Sequence, residues 1–135
     1  MLMRFPHTRV VVWSDPENGL KALRQKLADL GLEVHPVASL EEARAVIGNE
    51  TVHLLMSWLG EAAQKQFELV DWLRSQPVAP PLVLVTTGGD VDLYLEAMRR
   101  GAFDCVGLPL DSQELTRIVT RALESCCAHS AGTGG

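Results

Sequence analysis

Cysteine is scarce in this chain: there are three in 135 residues, an odd number without ligand-like spacing. A disulfide scaffold is thereby excluded as the source of stability, and a reducing compartment suits the chain better. Runs of apolar residues long enough to cross a bilayer are missing as well. The stretch from Met1 to Arg9 contains Pro6 and His7 and no apolar core, which is not the pattern of a secretory signal. Positive charge is not in excess. The net charge is -5 and basic residues occur in short pairs such as Arg99-Arg100, so the chain carries no electrostatic footprint for nucleic acid. His7, His35, His53 and His129 are scattered without metal-ligand spacing. These absences predict a cytoplasmic domain with no membrane or nucleic-acid partner, no metal and no cofactor.

What is present is an ordinary globular composition, 47% apolar and 21% charged, at a length that supports one full core. Short β-branched runs alternate with stretches of helical period. Val10-Val11-Val12 reads as a strand covered on both faces. Leu20, Leu23, Leu27 and Leu30 form a helical stripe closed by Gly31. Leu32 to Val37 reads as a second strand, and Ser39 with Glu42 as a capping box opening a helix that Gly48-Asn49 ends. Val52 to Met56 reads as the third strand, followed by a helix through Phe67, Val70 and Leu73. Leu82 to Thr86 is the fourth strand. Asp90 caps the next helix, with Leu93, Ala97 and Met98 inward and Gly101 at its end. Cys105-Val106 is a short fifth strand, and Asp111 with Glu114 starts a last helix whose stripe is Leu115, Ile118, Val119 and Ala122. Residues 1-127 make the domain, and 128-135, small and polar, a flexible tail or linker.

Five strands alternating with five helices imply an α/β fold, a parallel sheet with helices on both faces. In such folds the functional crevice lies at the carboxyl ends of the strands. That directs attention to Trp13-Ser14-Asp15, Ser57-Trp58, Thr86-Thr87 and Leu108-Pro109.

In order and spacing these places resemble the landmarks of the bacterial response-regulator receiver family, over roughly Arg9 to Glu124. Leu82 to Thr87 resembles the receiver's fourth strand with its switch hydroxyl, and Glu96 to Asp104 its fourth helix and the turn that follows. Leu108-Pro109-Leu110 stands where the family has Lys-Pro-Phe, and Asp15-Pro16-Glu17-Asn18 resembles its first turn. The resemblance implies a three-layer, doubly wound (βα)5 flavodoxin-like sandwich with strand order 2-1-3-4-5. It also implies a chemistry: a strand-three carboxylate takes a phosphoryl group from phosphohistidine, aided by magnesium on acidic residues, a lysine and a hydroxyl.

Carried across position by position, that chemistry is lost. The acidic pair falls on Trp13 and Ser14, the phosphoryl acceptor on Ser57, the lysine on Leu108 and the aromatic switch residue on Cys105. Thr86 keeps its type, as does the presumed cis proline, Pro109. Asp15 before Pro16 reads as the N-cap of the first helix rather than a surviving magnesium ligand. Ser57 reads as a backbone-bonded serine rather than a kinase substrate. Thr86-Thr87-Gly88-Gly89 lacks the spacing and lysine of a phosphate loop. Trp13 and Leu108 read as fillers of the vacated site, and Cys126-Cys127 as helix-end packing.

The sequence therefore points to a degenerate receiver, not an enzyme, acting in two-component or phosphorelay signalling as a phosphorylation-independent interaction module. Its partner is another protein or a fused output or kinase domain, reached through the face of helix four, strand five and helix five. Tyr94, Arg99, Arg100 and Gln113 are the expected contributors there, and a homodimer stays open. Two alternatives are kept: a flavodoxin-like small-ligand domain, and a receiver phosphorylated through displaced carboxylates.

Overall fold

The computed structural model describes residues 8-14, 20-59, 63-86, 91-107 and 111-134. Five strands form one parallel sheet: β1 (Arg9–Trp13), β2 (Glu33–Val37), β3 (Leu54–Trp58), β4 (Leu82–Thr86) and β5 (Asp104–Gly107). Their lateral order is β2-β1-β3-β4-β5, as the resemblance implied. Between and after them lie α1 (Lys21–Asp29), α2 (Leu40–Asn49), α3 (Ala63–Arg74), α4 (Val91–Arg100) and α5 (Ser112–Gly134).

Period-two alternation along the strands divides the core. Val10 and Val12 of β1, Leu54 and Met56 of β3, and Val83 and Val85 of β4 pack beneath α1 and α5. Val11, Trp13, Leu55, Leu82 and Leu84 pack on the other face, beneath α2, α3 and α4. Both faces are covered, which is why these strands read as continuous apolar runs.

Local signals set the helix ends. Ser39 Oγ accepts the Glu42 N–H at 3.1 Å, and Asp111 Oδ1 accepts the Glu114 N–H at 2.7 Å, so both predicted caps form. Gly31 and Gly101 follow α1 and α4 with φ of 90° and 112°, a region closed to most side chains.

The structure departs from the sequence reading in three places. β3 is Leu54–Trp58, not Val52 to Met56. His53 ends the ladder in place of a further strand residue, its N–H donating to the Arg9 carbonyl and its Nδ1 accepting the Arg9 N–H, each at 3.0 Å. At the other end Ser57 and Trp58 continue the pairing with Leu84 and Val85, where an apolar-run criterion stops at the serine. α1 begins at Lys21, and its N-cap is Leu20 at φ 49° with no side-chain cap. That strained backbone costs about 1–2 kcal/mol and is offset by the nearly complete burial of the Leu20 side chain. Asp15, read as that cap, lies outside the described residues, as does Asp90. The helical backbone of α5 runs on to Gly134, through most of the segment read as a tail.

Candidate functional site

Sheet register assembles the site positions into a single row. Trp13 is opposite Val37 on one side and Ser57 on the other. Ser57 is opposite Leu84, and Leu84 is opposite Cys105. Cross-strand neighbours in register share a face, so Val37, Trp13, Ser57, Leu84 and Cys105 all point toward α2, α3 and α4. Three of the positions singled out from sequence thus lie in one row, Trp13 next to Ser57 and Cys105 beyond Leu84. They sit within the strands, not in the loops after them. Thr86 lies two residues beyond Leu84 on the same face, half-buried and opposite Gly107. Ser14, half-buried, continues the β1–β2 ladder by donating its N–H to the Val37 carbonyl at 3.4 Å. Leu108 and Pro109 lie outside the described residues.

The row is dry. Ser57 is completely buried, Trp13 is 5% exposed and Cys105 8%. The Ser57 hydroxyl donates to the Trp58 carbonyl at 3.2 Å, satisfying its proton within its own strand. An alcohol held this way, with no base beside it in the row, is not an activated nucleophile. Burial pushes the Cys105 thiol above its ordinary value, and the Asp104 carboxylate next to it raises it further. The neutral thiol is therefore the form the row holds.

Magnesium needs hard oxygen donors, carboxylates above all. The row offers one hydroxyl already bonded to a carbonyl, flanked by an indole and a leucine, and this donor set does not fit the ion. Among the described residues no three His, Cys, Asp or Glu side chains come together in a metal-holding group.

Charge is concentrated elsewhere, on the seam between α3 and α4. Arg100 donates from Nε to Glu96 at 2.6 Å and from Nη1 to Asp71 at 3.0 Å, with its guanidinium 4.7 Å from the centre of the Phe67 ring. Arg74 donates to the Arg100 carbonyl at 3.0 Å. A shallow groove of about 350 Å³ runs here, lined by Gln64, Phe67, Glu68, Asp71 and Arg100. Periodicity could not flag this seam, because its members are polar residues that meet across two helices. Of the four residues expected on the partner face, Tyr94, Arg99 and Gln113 are exposed, whereas Arg100 turns to α3.

No family model matches the chain. It is 34% identical over 120 residues to the C4-dicarboxylate transport transcriptional regulatory protein DctD of Pseudomonas aeruginosa, an alignment covering 87% of this chain and 25% of that protein. It is 26% identical to the DNA-binding transcriptional regulator NtrC of Salmonella typhimurium, covering 85% of this chain and 25% of that one. The chain thus spans about a quarter of the length of these relatives. Among solved structures, the signal receiver domain of a LuxO repressor protein from Vibrio parahaemolyticus superposes with a TM-score of 0.81 at 20% identity, covering 95% of this chain and 98% of that one. A response regulator from Chloroflexus aurantiacus gives 0.77 at 25% identity, with coverages of 89% and 99%.

Proposed function

The chain belongs to the response-regulator receiver family of two-component systems, and from that membership we propose that it works as a phosphorylation-independent interaction module. The observation that carries this reading is the buried row. Where receiver chemistry needs an acceptor carboxylate and a cation, a fully buried Ser57 stands between Trp13 and Leu84. A phosphoryl group would bring about two negative charges into a buried row whose residues Val37, Trp13, Ser57, Leu84 and Cys105 include no cation, at a cost of several kcal/mol.

Signalling then passes through surfaces. The face of α4, β5 and α5 presents Tyr94, Arg99 and Gln113 to solvent, and a fused output domain or a separate protein is the partner it suits. The named relatives are regulators about four times as long as the matched segment, which supports a role as the input part of such an assembly. No helix among the described residues is long and apolar enough to cross a membrane.

Incubation with acetyl phosphate and magnesium, followed by intact-mass measurement, tests the reading. The mass stays unchanged if it holds. A stoichiometric adduct with the lability of an acyl phosphate overturns it and points to displaced carboxylates.

A further inference from the structure

β2 is an end strand of the sheet, and no strand among the described residues pairs with its outer side. In a strand the N–H and C=O of one residue point to the same side, and those of the next residue to the other. Glu33 donates its N–H to the Thr8 carbonyl at 2.8 Å, and the Val37 carbonyl accepts the Ser14 N–H at 3.4 Å. The odd-numbered residues of β2 therefore face β1, and the backbone groups of residues 34 and 36 face the free edge. Such an edge is a template on which further strands can form, and a second copy of the same chain is one source of them. Side chains do not screen it, for Glu33 and Pro36 are exposed and Val34 and His35 half-buried.

Residue 36 is a proline, opposite Val12 in the β1–β2 register. A proline facing β1 would break that ladder, whereas one facing outward leaves it intact. Its effect falls on any strand that adds from outside. Two β2 strands related by a two-fold axis at His35 would pair Val34 of each copy with residue 36 of the other. With an N–H at both positions that arrangement makes four hydrogen bonds, two in each pair. Proline removes one bond from each pair. Its ring also stands where the Val34 carbonyl of the other copy has to approach.

We propose that Pro36 closes the β2 edge to strand addition. This end of the sheet then offers partners its side chains but no backbone ladder, and copies of the chain do not fuse into a continuous sheet through it. The proposal depends neither on the state of the old phosphoryl site nor on the identity of a partner.

Amide exchange of the full chain, followed residue by residue by NMR over a wide concentration range, tests it, with sedimentation equilibrium on the same samples. In the unmodified chain the Val34 N–H exchanges at a rate independent of concentration. Pro36→Thr supplies the missing donor, so the chain self-associates and the N–H groups of residues 34 and 36 become protected at least roughly tenfold as concentration rises. Pro36→Ala does the same more weakly, since alanine favours strands less than threonine. Both variants keep the melting midpoint of the unmodified chain, because β2 bonds β1 through its odd-numbered residues. A Val34 N–H already slowed by concentration in the unmodified chain overturns the proposal, since strands then add despite the proline. Exchange that stays fast at every concentration in both variants overturns it too, as does association without protection of Val34. A large fall in the midpoint of both variants would place residue 36 in the β1 ladder and remove the outward proline on which the proposal stands.

Discussion

Trp13 brings a large apolar surface to the end of β1, and its neighbours are apolar too. Its indole is almost fully buried with Val11, Val37, Leu40 and Leu55 in one cluster. Trp13→Ala should therefore cost about 3 kcal/mol in urea unfolding, from lost burial and an unfilled cavity; a neutral result would mean that the row tolerates a void or is wet. Ser57 gives the complementary test. Ser57→Ala removes one hydroxyl whose partner carbonyl is its neighbour's, so stability should change by less than about 1 kcal/mol. Ser57→Asp should lower stability near neutral pH by several times that amount, gain nothing from magnesium and remain inert to acetyl phosphate. If magnesium raises its melting midpoint clearly, the row is an open polar site. Cys105 adds a pH dependence whose sign follows from its raised folded-state value. The stabilisation from holding the thiol neutral is complete below the unfolded thiol value of about 8.5 and is lost as pH rises through the higher folded value. Cys105→Ala should flatten the stability-pH curve in that alkaline window, and an unchanged curve would remove the thiol from the account.

Elements whose ends are fixed by short-range chemistry were legible in the sequence, and those fixed by register were not. Ser39 and Asp111 each bond an N–H three residues on, a relation visible in four consecutive letters. The end of β3 depends on Leu84 and Val85, which are distant in sequence, so a serine looked like a terminus when it was a paired strand residue. The start of α1 was misplaced for a related reason, because burial of Leu20 overrides its poor fit to a left-handed backbone. Of the positions singled out from sequence, Trp13, Ser57 and Cys105 share a row of the sheet, a proximity that follows from strand register. Its burial was expected from residue type, but the α3–α4 seam was not foreseen. Gly101 shows how closely that seam is built. A Cβ there would meet Arg74 Cδ at 3.1 Å, on a backbone at φ 112°. Gly101→Ala should thus cost more than about 1 kcal/mol from strain alone, displacing the arginine that reaches the Arg100 carbonyl. A calorimetric midpoint equal to that of the unmodified chain would show that the turn relaxes freely.

At the scale of the whole molecule, the sheet and α5 differ in length. Five-residue strands are about 17 Å long, whereas the 23 residues of α5 extend about 35 Å. The helix therefore outruns the layer it packs on. Among residues 112-125, whose side chains are described, the buried ones are Leu115, Ile118, Val119 and Ala122, with Leu123 packed beside them. Stability of the domain should accordingly be supplied by that part of α5, with the segment after Cys127 contributing little to the core. The sequence gives the same expectation by a separate route, since Ala128 to Gly135 contains no large apolar side chain. Removing residues 128-135 should leave the thermal midpoint essentially unchanged. In a domain of this size each kcal/mol lost lowers the midpoint by roughly 3–6 °C, so a real packing contribution would be visible in a single melt. A fall of several degrees would mean that the end of α5 docks on the domain. An unchanged midpoint would leave α5 as a projecting rod, with the folded unit complete before it ends.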